Sequence, residues 1–270
     1  MGESLNDLKI ESEIKDLLLE LQSRIGPEIV AIIYNPLREE GMKRQDSRFL
    51  KFLFENNRYN KPMLILSGHG GDFIPGIEFP YIIKSHVKRY GVFVPSTCGS
   101  ALCYTILKSE ELIVGRNTDI TQIDPQFPWE DGNVYRAIKV IKDDTITDAD
   151  LKKTARDILH MAEHHLKELC SQPCIFKYKN FAPQEFQHID YLTAVFMNKE
   201  DHEKKITSKE LLALEANLVP INESIDQLAN DFLKKCQDFT IKKNVRVTFV
   251  STIPIRLEGE SEGSFICPLY

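Results

Sequence analysis

The chain lacks any long apolar run, and it lacks an excess of basic residues. Its first 21 residues carry Glu and Asp throughout, in an amphipathic pattern that predicts a helix and is not typical of a signal peptide or a membrane span. With 34 Lys and Arg against 40 Asp and Glu, the formal net charge is −6. The sequence contains no dense patch of Lys and Arg of the kind that binds nucleic acid. We therefore expect a soluble, cytoplasmic protein that binds no nucleic acid and does not insert into a membrane.

Cysteine and histidine are also scarce, with 6 Cys and 7 His in 270 residues. The cysteines lack the spacing of a small disulfide-rich domain, and a core of this size does not need disulfides, so we expect reduced thiols. His160 and His164 would share one helical face, and His165, Cys170 and Cys174 follow them. This spacing matches no known zinc site, and we predict neither a metal nor a cofactor.

What the chain does have is a series of short apolar strands alternating with amphipathic helices. Residues 63–66 and 91–94 are apolar and are flanked by turn residues, which is typical of buried parallel strands. Residues 28–34 are rich in Ile and Val and are predicted to form the first strand. The sequence predicts an α/β fold with a largely parallel sheet. We expect an N-terminal helix at 1–24, a main domain at 25–219 and a C-terminal α+β extension of helix and strands at 220–270.

Two glycine-centred turns follow two of these strands. Gly70 and Gly71 come after strand 63–66, and Ser100 comes shortly after strand 91–94. The carboxyl ends of parallel strands meet at one edge of the sheet, so the two turns are expected to converge there. Glycine lets the backbone approach a substrate closely. The N–H groups of Gly71 and Ala101 could then form an oxyanion hole beside the Ser100 hydroxyl.

The segments around these turns have their own expected structure. A helix is predicted from about Ala101 to Ser109, with its positive N-terminal end near Ser100. Between the two strands the apolar residues recur at helical spacing, which predicts a crossover helix. Pro75 and Pro80 lie in the first half of this segment, and we expect that half to be irregular or kinked.

Several blocks of sequence, in matching order and spacing, resemble the serine dehydrogenase proteinase family, which is related to Clp protease and signal peptide peptidase A. They are Leu66-Ser67-Gly68-His69-Gly70-Gly71, Phe93-Val94-Pro95 with Ser100 five residues later, Glu110-Glu111-Leu112-Ile113-Val114, Ile123-Asp124-Pro125-Gln126 and residues 202–214. The resemblance covers about residues 42–219. It implies a ClpP/crotonase fold of repeated ββα units, a serine peptidase with Ser100 as nucleophile, a peptide or protein substrate and a homo-oligomer.

The chain departs from the family pattern at two places in the site. His69 stands where the family tends to have proline, which adds a titratable group to the turn. The family's Ser-Gly-Gly is Ser100-Ala101-Leu102 here, so the residue beside the serine stays small. Both departures bear on activity more than on the fold.

A serine hydroxyl needs a base to remove its proton, and the sequence leaves that base open. Membrane relatives of the family use a lysine ahead of a long helix, which implies Lys142 here. A lysine acts as a base only when burial lowers its pKa from about 10.4, and the neighbouring Asp143 and Asp144 oppose this. His69 is the alternative, because it lies in the glycine turn and imidazole changes charge near neutral pH.

The remaining site residues are expected to line and shape the site. They are His69, Gly70, Asp124 and Gln126. Two other functions remain open beside the peptidase. One is a non-catalytic peptide-binding scaffold of the same fold, and the other is a crotonase-type acyl-CoA enzyme, which needs an oxyanion hole but no serine nucleophile.

Overall fold

Helices and strands alternate along the chain. The computed structural model describes residues 5–38, 41–170, 175, 193–197, 205–213, 216–255 and 264–269. Within these ranges the helices are α1 (Leu5–Ile25), α2 (Arg44–Asn56), α3 (Phe73–His86), α4 (Cys103–Leu107), α5 (Ala137–Lys142), α6 (Ala149–Cys170), α7 (Ser208–Ala213) and α8 (Glu223–Lys242). The strands are β1 (Ile29–Tyr34), β2 (Met63–Ser67), β3 (Gly91–Val94), β4 (Thr97–Cys98), β5 (Glu111–Val114), β6 (Asp119–Thr121), β7 (Gln126–Pro128), β8 (Val134–Arg136), β9 (Lys205–Ile206), β10 (Leu218–Val219), β11 (Val247–Ile255) and β12 (Ser264–Leu269).

A seven-stranded sheet forms the centre of the fold, in the order β10-β5-β3-β2-β1-β11-β12. The first five of these strands run parallel, and β11 and β12 are antiparallel additions beyond β1. Ile29 lies opposite Met63, Met63 opposite Gly91, and Gly91 opposite Glu111. These strands therefore begin in register. The predicted mixed α/β class with a largely parallel sheet is confirmed.

Both faces of the sheet are buried, which explains why its strands are apolar throughout and do not alternate with polar residues. On β1, Val30, Ile32 and Tyr34 pack into a core shared with α2, α3, α4 and α6. Ile29, Ala31 and Ile33 point to the other face, where they meet α1 and α8. The period-2 geometry of a strand divides one apolar run between two cores in this way.

The C-terminal extension is part of the central sheet. Helix α8 packs against α1, and β11 pairs with β1 over Val30–Tyr34. It covers the edge of β1, which removes an exposed strand edge there.

Helix α3 corrects one expectation about the crossover. The segment is helical from Phe73, although an irregular first half was predicted from Pro75 and Pro80. Pro75 lies in the first turn, where a backbone N–H has no partner within the helix in any case. Pro80 lies inside the helix and is accommodated there. The expectation of an irregular first half is wrong because Pro75 occupies a first-turn position that tolerates proline, while a kink at Pro80 stays a prediction.

A buried ion pair joins α2 to the start of β11. Arg246 is 1% exposed and Asp46 is 0% exposed. Arg246 Nη1 donates to Asp46 Oδ2 at 2.6 Å, and its Nη2 donates to Asp46 Oδ1. The same carboxylate accepts from the Tyr34 hydroxyl at 3.0 Å and from the Lys43 backbone N–H at 2.8 Å. Both charges therefore have hydrogen-bonding partners inside the fold.

Two small sheets lie beyond the central one and complete the frame around the candidate site. One has the order β4-β6-β9, and the other is the hairpin of β7 and β8. Among the residues that the structure describes, no helix is long and apolar enough to cross a membrane.

Candidate functional site

The two glycine-centred turns meet at the carboxyl ends of β2 and β3. Gly68 forms a parallel bridge with Cys98. The Gly68 N–H donates to Thr97 O at 2.9 Å, and the Gly99 N–H donates back to Gly68 O at 3.0 Å. Backbone hydrogen bonds thus fix one turn against the other, independently of the side chains at the site.

Gly70 lies directly against Ser100. Its φ is +100°, a conformation that favours glycine. A Cβ added at this position would lie 2.7 Å from the Ser100 Cβ and 2.7 Å from the Gly99 carbonyl oxygen. No residue larger than glycine fits here without displacing the backbone that carries Ser100.

A third segment holds the glycine turn from the other side. The Met42 N–H donates to Gly70 O at 2.7 Å, and the Asp72 N–H donates to Met42 O at 2.8 Å. Arg246 Nη1 also donates to the carbonyl of Gly41 at 3.0 Å. The buried ion pair therefore reaches the turn through one short stretch of backbone, residues 41–42.

Ser100 has a strained backbone. Its φ of +47° lies in the left-handed region, where residues other than glycine are uncommon. Such strain costs about 1–3 kcal/mol and is concentrated at functional sites. Ser100 is half-buried and opens a 3-10 turn, Ser100–Leu102, before α4 begins at Cys103. The predicted helix from Ala101 to Ser109 is therefore shorter, and its first turn is not α-helical.

Two backbone amides beside Ser100 are candidates for stabilising negative charge. Within the described part of the chain, neither the Gly71 N–H nor the Ala101 N–H donates a hydrogen bond. The first N–H groups of a helical turn have no acceptor within the helix, which explains why the Ala101 N–H has none there. Ala101 is held in place by α3, because Gly76 is the residue that faces it and leaves room for its Cβ.

Ser100 opens into a cavity of about 380 Å³ at this edge of the sheet. His69, Gly70, Gly71 and Gln126 line the same cavity. His69 is exposed. No hydrogen bond joins it to Ser100 among the described contacts, and such bonds often form only when substrate is bound.

The structure does not bring Lys142 to this cavity. Lys142 is the last residue of α5 and is exposed to solvent. Among the described residues, it is not one of those that line the cavity. Its neighbour Asp143 accepts hydrogen bonds from the backbone and hydroxyl of Thr145.

Asp124 lies below the site surface and does not line the cavity. Its side chain is 5% exposed, and its Oδ2 is 3.6 Å from Arg136 Nε. Burial raises the pKa of Asp124 to about 6, and the opposing effect of the Arg136 charge is smaller. Asp124 lies two residues before β7, and the carbonyl of the intervening Pro125 accepts from the Ala137 N–H at 2.9 Å.

The histidine and cysteine residues weighed as metal ligands are placed apart from this cavity. His165 Nδ1 lies 3.5 Å from Glu168 Oε2, and Cys170 is buried. Cys174 lies outside the described residues. Among those that are described, no group of three or more His, Cys, Asp or Glu side chains is arranged to hold a metal ion.

Sequence reasoning missed two parts of the cavity wall. Helix α8 supplies Gln237, and the end of β1 with the loop after it supplies Tyr34, Asn35, Pro36, Arg38 and Gly41. This second part lies at the end of a third parallel strand, so the rule applied to β2 and β3 could have found it. Gln237 gives no signal in the sequence, because only the folded extension brings α8 to the site.

Comparisons with known proteins find similar structures at low sequence identity. No protein-family model matches the chain, and no curated protein matches it. Among solved structures, a ClpP1 mutant from Listeria monocytogenes has a TM-score of 0.44 and 12% identity, over 79% of this chain and 99% of that one. The ClpP protease catalytic domain from Plasmodium falciparum has a TM-score of 0.44 and 10% identity, over 83% and 95% of the two chains.

Gly70→Ala tests the close approach of the two turns. We expect it to lower the free energy of unfolding by more than the ~1–2 kcal/mol of a positive-φ alanine alone, because the new Cβ also meets backbone. Gly132→Ala is the matched control, since Gly132 has a φ of +81° and nothing within 4 Å of an added Cβ. Urea unfolding measures both. Equal losses in the two variants would contradict the contact between Gly70 and Ser100.

Asp124→Asn tests the burial of this carboxyl group. Its pKa is raised on folding, so its contribution to stability is complete below about pH 4 and is lost as the pH rises through about 6. We expect the variant to match the parent protein at pH 4 and to exceed it by about 2–3 kcal/mol at pH 8. Thermal and urea unfolding across this range measure the difference. Asp157→Asn, at an exposed position of α6, is the control for the substitution itself. A constant difference for Asp124→Asn would exclude the raised pKa.

Proposed function

We propose that the chain is a serine peptidase in which the Ser100 hydroxyl attacks a peptide carbonyl. The observation that carries the proposal is the strained, cavity-lining Ser100 held against Gly70. Strain of this kind turns a side chain out of the local backbone path, as in the nucleophile turns of other hydrolases. Other serines of the cavity wall, Ser67 and Ser96, have ordinary backbone conformations.

The chemistry follows the general course of acyl transfer. Ser100 Oγ forms a bond to the carbonyl carbon while its proton passes to a base, and the carbonyl oxygen becomes an oxyanion. The N–H groups of Gly71 and Ala101 are the proposed donors to that oxygen. Collapse of the intermediate breaks the C–N bond, and the base returns the proton to the leaving amine. Water then releases the acyl group from Ser100 by the same steps.

We assign the base to His69 in this proposal. His69 lines the cavity together with Ser100, whereas Lys142 is exposed at the end of α5. A lysine needs a dry, apolar surrounding to give up its proton near neutral pH, and an exposed lysine lacks one. An imidazole needs only to reach the hydroxyl. His69 stands where the resembled family tends to have proline, so this chain would differ from those relatives in its base.

The wider proposal keeps the expectations from the sequence. It describes a soluble, cytoplasmic, homo-oligomeric enzyme of the serine dehydrogenase proteinase type that acts on peptides or proteins without a cofactor. The support for the type is the ordered set of sequence blocks from the glycine turn to residues 202–214. The support for peptide as substrate is a cavity beside an oxyanion hole and a serine, because a crotonase-type reaction would have no use for that serine.

Ser100→Ala tests the nucleophile. We expect a fluorophosphonate probe to label the parent protein and not this variant, since the adduct forms on Oγ. Peptide hydrolysis should fall by at least about 10³-fold. Ser23→Ala on α1 is the control, because Ser23 is exposed and hydrogen bonds only within its helix. Equal labelling of the parent and Ser100→Ala would remove Ser100 from the mechanism and favour a binding scaffold.

His69→Gln and Lys142→Gln separate the two candidate bases. We expect His69→Gln to slow fluorophosphonate labelling by about 10²–10⁴-fold, as for the loss of a general base, and Lys142→Gln to leave the rate unchanged. His86→Gln is a matched control on α3, where His86 is exposed and hydrogen bonds locally. A loss of labelling in Lys142→Gln with normal labelling in His69→Gln would transfer the role to the lysine.

A further inference from the structure

The wall of the cavity beside Ser100 is polar. Its fifteen described residues include no Ala, Val, Leu, Ile or Met, and none is Asp or Glu. Ser96, Thr97, Gln126 and Gln237 present hydroxyl and amide groups. An apolar substrate side chain would displace the water bound to these groups and offer them no hydrogen bond in return. Each group left without a partner would weaken binding. The cavity therefore favours a polar or charged group on the substrate.

Arg38 is the one permanently charged residue in this described wall. Its side chain is half-buried. Arg38 Nη2 donates to the Asn244 backbone carbonyl at 2.7 Å and to Asn244 Oδ1 at 2.9 Å. Asn244 lies in the turn between α8 and β11, with a φ of +51°. The guanidinium is therefore held in place by Nη2, and both of its acceptors are neutral.

Other cations near the site have acidic partners, and Arg38 differs from them. Lys43 Nζ lies 3.1 Å from Asp72 Oδ1, and Arg136 Nε lies 3.6 Å from Asp124 Oδ2. Within the described residues, no carboxylate lies within ion-pair distance of Arg38. A fixed guanidinium of this kind is preorganised for a carboxylate, because its charge is held at the cavity wall and Nε or Nη1 can donate a charge-assisted hydrogen bond.

We propose that the cavity binds a carboxylate of the peptide substrate through Arg38. This inference rests on the proposed function for the location of the substrate, and it adds the class of peptide. The carboxylate has two sources, an Asp or Glu side chain or the free C-terminus of the peptide. Since the whole chain carries a net charge of −6, selection of an anion depends on this local cation and not on the general field.

The test measures peptide binding to the Ser100→Ala protein, in which hydrolysis cannot obscure affinity. Three peptides carry a neutral fluorophore: acetylated Ala-Ala-Glu-Ala-Ala amide, its Gln counterpart, and penta-alanine with a free C-terminal carboxylate. Fluorescence anisotropy gives each Kd. We expect at least one carboxylate peptide to bind about tenfold more tightly than the Gln peptide. Preference for the Glu peptide identifies a side-chain carboxylate, and preference for the free acid identifies the C-terminus.

Arg38→Gln, in the same Ser100→Ala background, should remove the preference. Arg38→Lys should keep part of it, because it retains the charge and loses the planar group that Asn244 holds in place. Arg156→Gln on α6 is the control, since Arg156 is exposed and does not line the cavity. Unfolding curves establish that each variant is folded.

Three results would overturn the inference: equal affinity for the charged and Gln peptides, a preference that survives Arg38→Gln, or no binding of either carboxylate peptide. These results are separable from the test of the peptidase. A carboxylate preference without fluorophosphonate labelling would support the carboxylate site at Arg38 and reject the catalytic role of Ser100. Labelling at Ser100 without a carboxylate preference would support the catalytic role and reject the carboxylate site.

Discussion

The buried ion pair of Asp46 and Arg246 is the constraint on which the site depends. Burying two charges is expensive, and attraction between them repays the cost only when the remaining hydrogen-bonding groups are satisfied. Here the Asp46 carboxylate accepts from Arg246, from Tyr34 and from the Lys43 backbone. Burial and the Asp46 charge raise the pKa of Tyr34 well above its usual value, so Tyr34 stays neutral and remains a donor. The arrangement admits one geometry and fixes three segments relative to one another.

That geometry is passed to the site by backbone contacts. Arg246 holds the Gly41 carbonyl, residues 41–42 hold the glycine turn, and the turn lies against Ser100. Every link is a hydrogen bond or a contact too close for a side chain. The strain at Ser100 persists because its surroundings leave no room for relaxation: Gly70 closes one side, and the Leu102 N–H is bound to Gly99 O at 3.1 Å. The C-terminal extension thus contributes to the site although, of its described residues, Gln237 alone lines the cavity.

The sequence predicted the features that local patterns encode. Strands β1, β2 and β3 follow from short apolar runs between turns. The convergence of the two glycine turns was predictable from the geometry of parallel sheets. The Asp46–Arg246 pair was not, because its partners are 200 residues apart and each alone is typical of a solvated surface residue. The 3-10 turn at Ser100 could not be predicted either, because it depends on the close packing of Gly70 and Gly76 against Ser100 and Ala101.

The choice between the two bases shows where sequence reasoning stops. The sequence points to Lys142 because it precedes a long helix. The structure has that helix, since α5 ends at Lys142 and α6 begins at Ala149. A lysine becomes a base through burial, however, and burial is a property of the folded chain. The requirement for a histidine is weaker, because its intrinsic chemistry already suits the task and only proximity must be supplied. His69 and Ser100 line one cavity because backbone hydrogen bonds fix their two turns against each other. In the proposed mechanism, a substitution in the glycine turn therefore changes the identity of the base while the fold and the proposed oxyanion amides stay the same.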